Sequence, residues 1–182
     1  MSDVNTVKYL KDYRQPDYWV THVDLTFDLR DGETLVGAKL HVKKNGSHQN
    51  PLVLDGEELE LLEVKLNGVA FTKGATLTEG YMVSKETLSL QPTEDTFTLE
   101  THVRIFPEKN TALEGLYKSG GNWCTQCEAE GFRRITFFPD RSDNMATYTT
   151  KIIADQLAAP VLLSNGNLVD HGPMDGRRHY AV

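Results

Sequence analysis

His22-Val23-Asp24-Leu25-Thr26-Phe27-Asp28-Leu29, a turn at Arg30-Asp31-Gly32-Glu33, and then Thr34-Leu35-Val36-Gly37-Ala38-Lys39-Leu40-His41-Val42 form the stretch that decides the fold. Val23, Leu25, Phe27 and Leu29 interleave with His22, Asp24, Thr26 and Asp28, the period of two expected of a strand with one buried face. Asp31-Gly32 supplies a turn, and Val36, Ala38, Leu40 and Val42 resume the alternation. Working outward, Leu62, Val64 and Leu66 run into Asn67-Gly68 and on to Val69 and Phe71. Asn-Gly accepts the positive φ angles of a type I′ turn, so this segment predicts a hairpin. Phe97, Leu99, Val103 and Ile105 mark another strand, stopped by Pro107. Strand character returns at Tyr148, Thr150, Ile152 and Ala154, and again at Val161 to Leu163, with a further hairpin turn expected at Asn165-Gly166. His179-Tyr180-Ala181-Val182 reads as the start of a strand without a terminating turn, as an excised domain would give.

No stretch carries a helical stripe beyond a turn or two. Many short strands at this spacing predict an all-β domain, either an antiparallel sandwich or a curved sheet. Residues 1–182 show no internal repeat, low-complexity segment or interdomain linker, and their length suits a single domain with a substantial core. The segment from Asn110 to Arg141, rich in glycine and aromatics and without sustained period, reads as a long structured excursion.

The chain holds 19 basic against 26 acidic residues, a formal charge of -7. That balance argues against a nucleic-acid surface, and the basic residues are scattered. No apolar run approaches the ~20 residues that cross a bilayer. Met1-Ser2-Asp3-Val4-Asn5 lacks the basic and apolar regions of a signal peptide, which makes the cytoplasm the expected compartment. Two cysteines are too few for a secreted disulfide scaffold.

Catalytic motifs are mostly missing: there is no H-E-x-x-H, no G-x-S-x-G elbow, no P-loop and no G-x-G-x-x-G. Cys124-Thr125-Gln126-Cys127 is a C-x-x-C. It is open to three readings: half a zinc site, a redox pair, or two small thiols packed as hydrophobes. Without a second cysteine pair or a βαβ setting, the last is the plainest. Glu128 and Glu130 follow; two residues apart in extended chain, they share a face. A glycosidase-like carboxylate pair and two solvated acids both fit that spacing, and Arg133, Arg134 and Arg141 are candidate partners for them. The 124–141 segment gathers polar, aromatic and glycine residues outside regular strands, which makes it the candidate functional loop.

The runs Asn110 to Tyr117 and Cys124 to Arg133 closely resemble the aminopeptidase N group of the gluzincin zinc metallo-aminopeptidases, its bacterial branch above all. Tyr13-Arg14, Pro16 to Tyr18, Asp24 to Leu29, Phe138 to Asp143, Thr149 to Asp155 and Leu162 to Asn167 fit the same pattern. The likeness runs collinearly from about residue 9 to the end. It implies a saddle-like, mostly antiparallel N-terminal β-domain that packs on a thermolysin-like catalytic domain of the same polypeptide. That neighbour would carry G-A-M-E-N and the zinc-binding H-E-x-x-H, so zinc would belong to the parent protein, with no catalytic residue or metal ligand in this chain. The resemblance further implies that Glu128 helps to hold the α-ammonium group of a peptide substrate and that Gln126 lines the pocket for its first side chain. Glu130 inherits no such role. On this reading the parent removes N-terminal residues from peptides, this chain alone is inactive, and an apolar docking face is expected near residues 110–141. The competing reading is a free-standing β-sandwich binding or interaction module.

Overall fold

The computed structural model describes residues 9–182; the Met1–Asn5 stretch lies outside them. The strands are β1 (Tyr18–Leu29), β2 (Thr34–Lys44), β3 (Leu52–Asp55), β4 (Glu60–Leu66), β5 (Val69–Ala70), β6 (Met82–Val83), β7 (Thr87–Leu90), β8 (Thr96–Ile105), β9 (Gly115–Ser119), β10 (Asn122–Gln126), β11 (Thr147–Asp155), β12 (His171–Pro173) and β13 (Arg178–Ala181). Single 3-10 turns at Leu10–Asp12 and Phe132–Arg134 are the helical elements among the described residues. One large sheet runs β12-β13-β11-β1-β2-β8-β4-β5, a small one runs β3-β7-β6, and β9 pairs with β10 alone.

The alternation read from the sequence becomes the core. Leu25 and Phe27 of β1, Val36, Leu40 and Val42 of β2, and Phe97, Leu99 and Val103 of β8 are all buried. They meet Leu52 and Leu54 of β3, Leu88 and Leu90 of β7, and Ile135, Phe137 and Phe138 of the excursion in one apolar cluster. Leu40 lies opposite Leu99 in the ladder, and neither is exposed to solvent. Each such side chain contributes about 1.5–3 kcal/mol by leaving water. The predicted hairpins at Asp31-Gly32 and Asn67-Gly68 form, the second with φ of 51° and 77° at its two central residues, as type I′ requires.

Two irregularities shift the pattern. A bulge between Val20 and His22 moves the buried set from Tyr18 and Val20 to Val23 and Leu25, so the strand keeps one face on the core. The buried Asn144 side chain accepts the Val20 N–H at 2.9 Å, just before β11 begins to pair with β1. A second bulge lies between Leu61 and Glu63; Leu62 is exposed while Val64, two residues on, is buried.

Three expectations are corrected. Val161 to Leu163 is not a strand, and Asn165-Gly166 is a bend with no strand on either side. The segment joins no ladder; Val161 and Leu163 stay exposed while Leu162 packs on the core. The expected concentration of exposed apolar side chains near 110–141 is not seen among the described residues. Leu113 is the one strongly exposed large hydrophobic in that stretch among the described residues, whereas Leu157, Val161, Leu163, Leu168, Val169 and Met174 are all exposed. Of the excursion's aromatics, Phe137 and Phe138 lie in the core and Trp123 and Phe132 pack half-buried against it. The sheet is mostly antiparallel, as expected, with β1 and β11 its one parallel pair among the described residues.

Candidate functional site

The excursion is more regular than its composition suggests. Gly115–Ser119 and Asn122–Gln126 form a hairpin in which Cys124 faces Tyr117 and Gln126 faces Gly115 across the ladder. Its tip is Gly120-Gly121, with φ of 56° and 87°, so the two-residue turn has the positive angles that glycine supplies. Cys124, Thr125 and Gln126 therefore lie in a strand, contrary to the reading of the whole 124–141 segment as irregular. What remains irregular is the short loop from Cys127 to Gly131, which leads into the Phe132–Arg134 turn and the buried run Ile135 to Asp140.

The loop has an inside and an outside. Cys127 is half-buried against the core, while Gln126, Glu128, Ala129 and Glu130 are exposed. The Gln126 side-chain amide donates to the Glu128 carbonyl at 3.3 Å, so the two residues singled out by the resemblance are adjacent in space as well as in sequence. The Glu128–Ala129 peptide is cis. Gly131 closes the loop by donating its N–H to the Cys127 carbonyl at 3.2 Å. There is no room for a side chain: a Cβ on Gly131 would stand 2.5 Å from the Gln126 carbonyl oxygen.

The base of the loop is fixed on three sides. Phe132 packs edge-to-face on Phe138, ring centroids 4.8 Å apart, in a geometry favoured by the ring quadrupoles. Arg133 donates from Nε to Asp140 at 2.9 Å, and its backbone N–H donates to the same carboxylate at 3.1 Å. Arg134 reaches Glu57, Glu58 at 2.8 Å and Glu114 at 3.4 Å.

These pairings separate the acids. Glu130 sits 3.4 Å from Arg133, and Arg141 pairs with Asp143 at 2.7 Å, where Tyr13 also donates at 3.0 Å. The Arg141 hydrogen bond holds Asp143 below the ordinary carboxylate range. None of the three arginines considered as partners is paired with Glu128, and among the described residues its carboxylate has no cationic partner. Glu128 and Glu130 thus differ: Glu130 has a loose, exposed ion pair with Arg133, and Glu128 has none among the described residues.

The thiols are both free. Burial, with the nearby Asp140 charge, pushes Cys127 up to about 11, so it is a neutral thiol at pH 7, unlike the lowered values of reactive redox cysteines. Among the described residues no group of three or more His, Cys, Asp and Glu side chains is placed to hold a metal ion, so these residues do not fit a zinc centre. Two surface hollows of about 260 and 410 Å³ are lined by other residues, the first by Glu58, Lys109 and Arg134, the second by Asp24, Lys39 and Glu100 on the open face of the large sheet. Glu128 stands on an open surface of this chain, not in either hollow.

The sequence reading missed Asp140 as the partner of Arg133. A signal was present: a carboxylate directly after Phe137-Phe138-Pro139 falls in a buried run, and a buried charge calls for a paired cation. Which arginine supplies it depends on how the chain turns back at Phe132–Arg134.

A family model described as the peptidase M1 N-terminal domain matches residues 15–181. The aminopeptidase N of Escherichia coli (strain K12) is 44% identical over 180 residues, covering 99% of this chain and 20% of that protein. Among solved structures, an aminopeptidase A of Legionella pneumophila in complex with aspartic acid superposes with a TM-score of 0.85 at 38% identity, covering 96% of this chain and 20% of the other. An M1 zinc metallopeptidase of Deinococcus radiodurans superposes with a TM-score of 0.73 at 18% identity, covering 92% of this chain and 38% of that one, a likeness of fold alone. The chain spans about a fifth of the length of the first two relatives.

Proposed function

The chain belongs to the peptidase M1 family, as its N-terminal domain, and from that premise we propose that it serves a zinc-dependent aminopeptidase by gripping the free amino end of the peptide substrate. The observation that carries the reading is the state of Glu128, a carboxylate at the head of a fixed loop with no cation of its own among the described residues. An exopeptidase must recognise an α-ammonium group, and a carboxylate in a water-poor cleft does so by a charge-assisted hydrogen bond. The cleft would be completed by the catalytic domain of the same polypeptide, against which the loop projects. Gln126, beside Glu128, would line the pocket for the first side chain. The zinc ligands belong to that second domain, and this chain's contribution is to bind and orient. By itself the chain is expected to be inactive on aminoacyl substrates.

The test uses the full-length protein. Glu128→Gln keeps the shape and removes the charge. Hydrogen bonds to charged groups contribute about 1.5–3 kcal/mol, so kcat/KM on a free-amine substrate should fall by about 10- to 150-fold. An N-acetylated peptide should lose little further affinity. Glu130→Gln, whose carboxylate is engaged by Arg133, should stay within a few-fold of the parent. Equal losses at the two positions would overturn the assignment.

A further inference from the structure

We propose that Arg133 and Asp140 form a positioning pair that holds the Glu128 loop at the height and angle needed to meet a substrate ammonium. The inference rests on the anchoring role proposed for Glu128.

Asp140 is only 8% exposed, yet its carboxylate takes two bonds from one residue: the Arg133 backbone N–H at 3.1 Å and Nε at 2.9 Å. Arg133 answers through Nη2, which donates to the Asp140 carbonyl at 3.3 Å and lies 3.4 Å from Glu130. Main chain and side chain of Arg133 are therefore held together, two residues after Gly131 closes the loop. Asp140 is itself anchored. Its N–H donates to the Asp55 side chain at 3.1 Å, and Asp55 exchanges backbone bonds of 2.9 and 3.0 Å with Phe138 at the end of β3. On the other side, the Arg133 carbonyl accepts the Glu57 N–H at 2.9 Å.

A continuous set of bonds thus runs from β3 through Asp140 and Arg133 to the loop. The loop has little freedom of its own: Gly131 packs with no space for a Cβ against Gln126 and Gly115. A shift of Arg133 must then be passed on to Glu128. Binding groups need to sit within about 0.5 Å of their productive geometry, which a solvent-exposed loop achieves only if its base is held.

The experiment is a double-mutant cycle in the full-length protein with its zinc. Asp140→Asn and Arg133→Lys are measured alone and combined with Glu128→Gln, reading kcat and KM on a free-amine aminoacyl substrate together with the melting temperature. Asp140→Asn should lower kcat/KM by about 3- to 30-fold, mostly through KM. Arg133→Lys keeps the charge, loses the two-pronged contact, and should fall between Asp140→Asn and the parent. In either background Glu128→Gln should cost much less than it does alone, because a misplaced carboxylate has little left to lose. If Glu128→Gln costs the same factor in all backgrounds, the pair is merely structural and the inference is overturned. If Glu128→Gln alone has no effect, the anchoring reading falls first and the inference with it. Should Asp140→Asn fail to fold, the Arg133→Lys cycle measures the same coupling and decides between these outcomes.

Discussion

Gly115 allows the packing around the loop to be tested without any assay of catalysis. It is buried, pairs with Gln126 across the hairpin, and has φ of +70°. Alanine there meets two costs. The left-handed backbone is unfavourable for an L-residue by about 1–2 kcal/mol. The new Cβ would also stand 2.7 Å from Arg134 Cβ and 3.1 Å from the Gly131 carbonyl oxygen. Arg134 cannot swing aside freely, because its guanidinium is held by Glu57, Glu58 and Glu114. Overpacking of this kind costs about 1–3 kcal/mol, giving a total of about 2–5 kcal/mol for Gly115→Ala. Gly120 is the matched control: φ is +56°, and nothing lies within 4 Å of its would-be Cβ. Gly120→Ala should therefore cost only the backbone share, about 1–2 kcal/mol. For a domain of this size each kcal/mol lowers Tm by about 2–4 °C. Thermal melts by circular dichroism should thus separate the two variants, and urea titrations should show a lower midpoint at unchanged slope. If the two variants lie within about 0.5 kcal/mol of each other, the close approach of Gly115 to Arg134 that carries this reasoning is refuted.

Two further expectations follow from titrating groups. Asp143 is held below its ordinary value of 3.8 by Arg141; its contribution is complete above that value and is lost as pH falls through the lower folded value. Asp143→Asn should flatten the acid limb of a plot of Tm against pH, and an unchanged limb would count against the pair. Cys127, pushed up to about 11 by burial, should react with iodoacetamide at pH 8 far more slowly in the folded chain than in urea. Mass spectrometry after timed quenching reads this directly, and equally rapid labelling in both states would show the thiol to be accessible.

The strands were legible where one face is buried and the other wet. From His22 to Val42 and from Phe97 to Ile105 the alternation marks the buried positions directly, because a period of two cannot be satisfied by a helix. Turn chemistry was legible at Asn67-Gly68, where both central residues take the positive φ angles that Asn-Gly accepts. The same local rule failed at Asn165-Gly166. A hairpin needs two paired strands, and the residues flanking Asn165-Gly166 join no ladder. Gln126 and Glu128 were named from the resemblance and not from any periodicity. Their adjacency was predictable from two residues of separation. What no local pattern carried was the contrast between Glu128 and Glu130, since pairing with Arg133 depends on the turn at Phe132–Arg134 that aims the guanidinium. The sequence by itself determined the all-β class and the buried faces of β1, β2 and β8. Tertiary structure alone decided the parallel pairing of β1 with β11, the burial of Phe137 and Phe138 in the core, and which carboxylate has no cation among the described residues. The physical reason is range: backbone propensity and burial period act between neighbours in the chain, whereas Asp55 and Asp140, or His22 and Thr147, meet only when distant strands pack.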